Sequence, residues 1–300
     1  MGKIRFAVWN LDGTAMNGRA LTDPKCDDDP SRSKYLDCIR YRIRLLLNRE
    51  PDCDFIFFQE IPDPDWLKIP DLHGEWISCR KPENNSSNLT GQTGDTMNKS
   101  NPDNASGILL SQNNTGKGIV VKKVQTDYES PIGTVYSVCN RQGILFYFIG
   151  FWNVPEKKNR PSRTDVRIQK KYLSPFLDLL DRVTPLYTPC VIAGDTNVYI
   201  QFGENGLPET KLLTQEYIQR YLEPKGLNLI NGPNNELDHF TLRFKRNREL
   251  FRCDLLIASS SLQVQALSLG DIGIYMDRRP GEKYHGSDHR PIFFEVSVPD

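Results

Sequence analysis

The apolar positions of this chain gather in short, nearly unbroken runs: Ile4 to Trp9, Cys53 to Gln59, Gly118 to Lys123, Ile144 to Trp152, Cys190 to Ala193, Cys253 to Ala258 and Ile292 to Val298. Runs of this length predict β-strands, and their continuity predicts strands covered on both faces. Elsewhere the spacing is helical. Leu36, Ile39, Ile43, Leu46 and Leu47 line one face of a first predicted helix. Val166, Leu173, Phe176, Leu177 and Leu180 line a second, which Pro175 is expected to kink or divide. A weaker third helix covers Thr214 to Leu222. Strands alternating with helices define an α/β protein. Residues 81–117 break the pattern. They are rich in Asn, Ser, Thr and Gly, with little to bury beyond Leu89 and Ile108 to Leu110, and are expected to form a long exposed loop. No internal repeat or linker divides residues 1–300, which predicts a single domain.

Composition narrows the class. A chain of 300 residues, 38% hydrophobic and 25% charged, can bury a sizeable core as a soluble globular protein. No apolar stretch is long enough to span a bilayer, so no membrane anchor is expected. Asn10 and Asp12 interrupt the apolar core that a signal peptide would need, which predicts a cytoplasmic protein. The 7 cysteines form no CxxC pair, which argues against a zinc cage. Cys53, Cys139, Cys190 and Cys253 sit in or beside apolar runs and are expected as buried, reduced thiols. Net charge is +0, but two stretches are basic. Residues 156–171 carry Lys157, Lys158, Arg160, Arg163, Arg167, Lys170 and Lys171. Residues 243–252 carry Arg243, Lys245, Arg246, Arg248 and Arg252. Each is either a solvated face or a phosphate contact.

Polar residues of matching chemistry stand where the apolar runs end. Trp9 leads into Asn10, Phe58 into Gln59-Glu60, and Ala193 into Gly194-Asp195-Thr196-Asn197. Arg252-Cys253-Asp254 opens one run, and Gly286-Ser287-Asp288-His289 precedes another. Loops at one edge of a rigid sheet are where catalytic groups collect. Glu60, Asp288 and the Asn10 amide offer only oxygen ligands, which suit Mg²⁺ or Mn²⁺ better than zinc. Asp195 is a candidate base toward a water, with Asn197 orienting the nucleophile or a phosphate oxygen. His289 could contact a scissile phosphate while Asp254 fixes its tautomer and keeps it protonated. Charge neutralisation, an activated water and a donor to developing charge are what metal-assisted phosphoester hydrolysis requires. Each motif alone also fits a turn or a strand end. Their order and shared position carry the reading.

Taken in order, these motifs resemble those of the endonuclease/exonuclease/phosphatase superfamily. Its members include deoxyribonuclease I, exonuclease III, apurinic endonucleases, neutral sphingomyelinases and inositol polyphosphate 5-phosphatases. Gly118-Ile119-Val120-Val121-Lys122 is also similar to the family's Gly-led strand, and the match spans positions 9 to 289. The resemblance implies a two-sheet α/β sandwich with helices on the outer faces. It implies that Asn10, Glu60 and Asp288 bind or support the metal, and that Asp195 is the base or a second metal's ligand. Asn197 would help to hold the phosphate or nucleophile, and Asp254 and His289 would form a carboxylate–imidazole pair.

One departure stands out. Many members carry a His after the mid-chain strand, and the apurinic branch a Tyr nearby. Here the strand ends Gly150-Phe151-Trp152-Asn153-Val154-Pro155. Trp152 and Asn153 are candidate substrate contacts, but neither is a general acid at neutral pH. Leaving-group protonation then falls to a metal-bound water or to His285. Arg163 and Arg167 are candidate phosphate contacts. The expectation is a Mg²⁺-dependent phosphodiesterase with nucleic acid as its partner, foremost a DNA endonuclease. The alternative is a phosphatase or phospholipase acting on an inositol phosphate, phospholipid or other small phosphoester. The sequence shows no amphipathic membrane helix, which weakens the lipid version. A third reading, a non-catalytic phosphate-binding or scaffold protein, draws on the missing His and is opposed by the otherwise complete set.

Overall fold

A computed structural model describes residues 2–11, 30–48, 53–61, 76–80, 105–110, 118–125, 133–153, 166–202, 213–231, 239–243, 250–278, 280–281 and 286–298. The strands are β1 (Gly2–Asn10), β2 (Phe55–Ile61), β3 (Trp76–Arg80), β4 (Ala105–Leu110), β5 (Val120–Lys123), β6 (Gly133–Asn140), β7 (Gly143–Trp152), β8 (Cys190–Phe202), β9 (Leu227–Leu229), β10 (Leu242–Arg243), β11 (Leu250–Ser259), β12 (Gln263–Leu269) and β13 (Ile292–Val298). The helices are α1 (Pro30–Asn48), α2 (Val166–Val183), α3 (Leu213–Leu222) and a single turn, α4 (Ile272–Tyr275). Six strands form one sheet in the order β12-β13-β1-β2-β4-β3. The second sheet runs β10-β11-β8-β7-β6-β5, with β9 paired to β11. In both sheets the central pair is parallel, β1 with β2 and β7 with β8.

The continuous apolar runs now have a cause. Alternate residues of each central strand enter different layers. Ile4, Phe6 and Val8 of β1, Phe55 and Phe57 of β2, Phe146 and Phe148 of β7, and Val191 and Ala193 of β8 meet between the sheets. Ala7, Trp9, Ile56 and Phe58 face the other way, onto Ile39, Ile43 and Leu46 of α1. Ile149, Phe151, Ile192 and Ile257 do the same onto Leu173, Phe176 and Leu180 of α2 and Ile218 and Leu222 of α3. A strand buried on both faces has no polar alternation to show. The result is a two-sheet α/β sandwich with helices on its outer faces.

Phe6 ties the layers, stacked on Phe294 at 5.0 Å and on Phe148 of the facing sheet at 5.5 Å. Helix α2 runs unbroken through Pro175, which lies on its exposed side. One expectation is corrected. Within the stretch 81–117, Ala105–Leu110 is not loop but strand β4, paired on both sides with β2 and β3. The rest of that stretch up to residue 117 lies outside the described residues. Strands β3, β6 and β12 were also unforeseen. In β12, at the sheet edge, polar Gln263, Gln265 and Ser268 dilute the apolar signal. No helix among the described residues is long and apolar enough to cross a membrane.

At Gly150 the ring of Phe57 from the facing sheet fills the place of a side chain, so an added Cβ would lie 2.2 Å from it. Gly150→Ala is therefore expected to lower the unfolding free energy by about 1–3 kcal/mol through overpacking. Urea denaturation checks this; an unchanged midpoint would mean that the two sheets separate there at no cost.

Candidate active site

Two of the central strands end in irregularities, and both carry polar groups. Between Phe58 and Ile61 strand β2 advances three positions while β4 advances two, from Gly107 to Ala105. Glu60 sits in this bulge with φ +53°. Between Arg252 and Asp254 the partner on β8 jumps from Ile200 to Asp195, so residues 196–199 loop out opposite Cys253. Asn197 lies in that loop with φ +51°. Among the described residues these are the only non-glycine residues with positive φ. Left-handed backbone at such residues costs about 1–3 kcal/mol and persists where surrounding contacts impose it. Bulges of this kind re-aim side chains beside active sites. Gly194 makes the approach possible, since at φ +153° an added Cβ would lie 1.9 Å from the Phe151 carbonyl oxygen.

Asn10 joins the two irregular strands. Fully buried at the end of β1, it donates from Nδ2 to Glu60 Oε1 at 3.0 Å and to Asp195 Oδ2 at 3.0 Å. Asp195 is buried at the centre of its sheet, with Trp152 and Asp254 as its Cα partners on either side. Its Oδ1 accepts from the Asn197 N–H at 2.7 Å and its Oδ2 from Asn197 Nδ2 at 3.1 Å. Asn153 holds the loop that supplies Asn197. Its carbonyl accepts from Asn197 Nδ2 at 2.7 Å, and its own Nδ2 donates to the Thr196 carbonyl at 2.8 Å.

The last motif arrives from the opposite end of the chain. Ser287 Oγ donates to the Asn10 carbonyl at 2.6 Å and accepts from the His289 N–H at 3.0 Å. Trp9 Nε1 donates to the His289 carbonyl at 3.0 Å. Arg42 of α1, wholly buried, donates to the carbonyls of Ile274 and Asp277 and so fastens the preceding turn. His289 thus meets Asp254, with Nδ1 2.8 Å from Oδ2. Its Nε2 lies 3.6 Å from Asp288 Oδ1.

The structure therefore brings together Asn10, Glu60, Asn153, Asp195, Asn197, Asp254, Asp288 and His289. Trp152 is 8% exposed, and among the described residues its buried Nε1 has no hydrogen-bond partner. Arg163 and His285 lie outside the described residues, and of Arg167 only its place in α2 is described. The reading of 243–252 as a solvated or phosphate-facing stretch is corrected at Arg252. Arg252 is fully buried and donates to the carbonyls of His239 and Asn231. Arg243 pairs with Asp277. Sequence reasoning missed Arg42, Asn231 and Thr241. Asn231 donates to the Asp254 carbonyl at 2.8 Å, and Thr241 Oγ1 accepts from the Asp254 N–H at 3.3 Å. The available signal was Asp254 itself, because a carboxylate entering a buried strand requires partners.

No family model and no curated protein sequence matches this chain. Solved structures do. An endonuclease/exonuclease/phosphatase family protein from Bacteroides thetaiotaomicron superposes with a TM-score of 0.54 at 14% identity, covering 100% of this chain and 98% of its own. This chain has the endonuclease/exonuclease/phosphatase fold. D. rerio TDP2 complexed with single strand DNA product matches at 0.52 and 13% identity, over 99% of this chain and 100% of its own. AP endonuclease LMAP from Leishmania major matches at 0.53 and 12% identity, over 99% and 88%.

In this instance of the endonuclease/exonuclease/phosphatase fold the site is strongly electronegative. Burial, then the neighbouring Asp254 carboxylate, pushes Asp195 from 3.8 up to about 7, and Glu60 adds to the rise. Burial opposes the His289 imidazolium, but Asp254, Asp288 and Asp195 hold its pKa well above the ordinary 6.5. Three carboxyls, of Asp195, Asp254 and Asp288, thus act on one imidazole, and that of Glu60 acts on Asp195. That excess of hard, anionic oxygens fits a divalent cation, with Glu60 and Asp288 its more exposed members.

Both shifts have the same sign. The folded protein keeps a proton on Asp195 between pH 3.8 and about 7 that the unfolded chain has released, so stability falls as pH rises through this window. The His289 contribution is complete below 6.5 and is lost as pH rises through the higher folded value. In EDTA, Asp195→Asn is expected to flatten the decline of stability between pH 4 and 7. Chemical denaturation of both proteins across that range measures it, and parallel pH profiles would remove Asp195 as the cause.

Proposed function

We propose that the chain is a divalent-metal-dependent phosphodiesterase that hydrolyses nucleic acid, with DNA as the substrate and internal cutting as the mode. The observation that carries this reading is the Asn10 amide, which ties Glu60 to Asp195 beside the Asp254–His289 pair. Neighbours of the same fold support the choice of substrate: one is TDP2 with a single-stranded DNA product, another an AP endonuclease.

Glu60 and Asp288, supported by Asn10, would hold Mg²⁺, with Mn²⁺ as its substitute. When bound, such an ion neutralises phosphate charge and makes water a better nucleophile. Asp195 takes the proton of the attacking water, its carboxyl poised near neutrality for that transfer. Asn197 and Asn10 fix the direction of its lone pairs. His289, charged and oriented through Nδ1 by Asp254, presents Nε2 to a phosphate oxygen as negative charge develops. The buried Trp152 Nε1, unpartnered among the described residues, supports a substrate contact at the position where relatives carry His or Tyr. Arg163, Arg167 and His285 complete the proposed contacts.

The test is incubation with plasmid, linear DNA, abasic duplex, RNA and inositol phosphates, in Mg²⁺ or EDTA. Plasmid nicking that needs Mg²⁺ is expected. Asp195→Asn should lower kcat by about 10²–10⁴-fold, and His289→Ala by about 10²–10³-fold. Phosphate release from inositol phosphates without nicking would replace this substrate class. Near wild-type hydrolysis by Asp195→Asn would overturn the assignment of the site.

A further inference from the structure

Cys253 occupies a position in the site that oxygen-only phosphoester chemistry does not use. It is the residue skipped in the β8–β11 register, and two threonine side chains hold its backbone. Its N–H donates to Thr241 Oγ1 at 3.3 Å and its carbonyl accepts from Thr196 Oγ1 at 2.7 Å. Its Sγ lies 3.6 Å from Asp254 Oδ2 and 3.9 Å from His289 Nδ1, and those two atoms are 2.8 Å apart. Asp195 adds a fourth donor, and the four ligand atoms all lie within 4.8 Å of one another.

These separations are close to those of a tetrahedral cage. Zinc–sulfur bonds of about 2.3 Å and zinc–nitrogen or zinc–oxygen bonds of about 2.0 Å set ligand–ligand edges near 3.6 Å for S–N, 3.5 Å for S–O and 3.3 Å for N–O. The three separations among Cys253 Sγ, Asp254 Oδ2 and His289 Nδ1 lie within about half an ångström of these edges, and the Asp195 carboxyl, inside the 4.8 Å span of the group, has to draw in by about an ångström to close the cage. One thiol, one imidazole and two carboxyls is also a donor mixture that zinc accepts and Mg²⁺ does not favour. The linear order hides the set, because Asp195, Cys253, Asp254 and His289 come from three separate motifs with no CxxC spacing.

We propose that Cys253, Asp254, His289 and Asp195 form a binding site for a thiophilic divalent cation of the Zn²⁺ type, and that its occupation shuts off hydrolysis. The ion binds the Cys253 thiolate and His289 Nδ1, and the protons they carried pass to solvent. Asp254 turns from the imidazole to the ion, so His289 can no longer present a charged ring to phosphate. Asp195 is lost as a base at the same time. The inhibition rests on the phosphodiesterase reading; the binding does not.

The test uses the full chain, stripped of metal, titrated with Zn²⁺ by calorimetry and with Co²⁺ by absorption. A thiolate-to-cobalt charge-transfer band in the near ultraviolet is expected in the wild type. Cys253→Ala should lose that band and bind Zn²⁺ at least about 10-fold more weakly. Cys253→Val should do the same, and thermal melting identifies either variant that fails to fold. Zn²⁺ should suppress Mg²⁺-dependent hydrolysis in the wild type and spare it in Cys253→Ala. Absence of the band in the wild type, or a band and Zn²⁺ affinity unchanged in both variants, overturns the proposal. A Cys253-dependent band in a chain without hydrolytic activity would sink the phosphodiesterase reading and leave the metal site standing. Mg²⁺-dependent hydrolysis without a band would do the reverse.

Discussion

The amide of Asn10 is the contact on which the site depends. Its two N–H groups reach Glu60 in one sheet and Asp195 in the other, and the main-chain carbonyl of the same residue accepts from Ser287 of the last motif. A buried amide with both protons engaged leaves little freedom for the strands that carry its acceptors. Glu60 and Asn197 keep left-handed backbones beside it, a local cost met by the packing of the surrounding sandwich. The Phe6, Phe148 and Phe294 stack beneath provides the rigid floor.

Electrostatics follows from that geometry. Pulling carboxyls from separate strands to one point, under burial, raises Asp195 to about 7 and sustains a charged His289. The same convergence is what the two proposed cation sites rest on. Glu60 and Asp288 present hard oxygens at its more open side, whereas Cys253 adds a sulfur at its buried side. A phosphodiesterase built this way would be sensitive to which metal reaches it.

Much of this was legible in the residues. The runs at Ile4, Phe55, Ile144, Cys190 and Ile292 became central strands because burial on both faces makes such runs unambiguous. The motif residues Asn10, Glu60, Asp195, Asn197, Asp254, Asp288 and His289 converge because each stands near a strand end, or in or beside a bulge. Strand β4 was not legible, since its flanks are polar and only pairing with β2 and β3 makes it a strand. In the sequence Arg252 belongs to a basic stretch, because charge in a sequence carries no sign of burial. It is anchored by carbonyls of residues that are distant in the chain.

The sequence by itself determined the layers and the inventory of chemistry, because apolar continuity and polar residue type are local properties. The tertiary structure alone decided the pairings: Asn10 between two carboxyls, Arg42 beneath the final turn, Cys253 against His289. These contacts span up to 235 positions, as between Arg42 and Asp277. Distances of that kind arise only when two sheets close on one core, and no spacing along the chain encodes them.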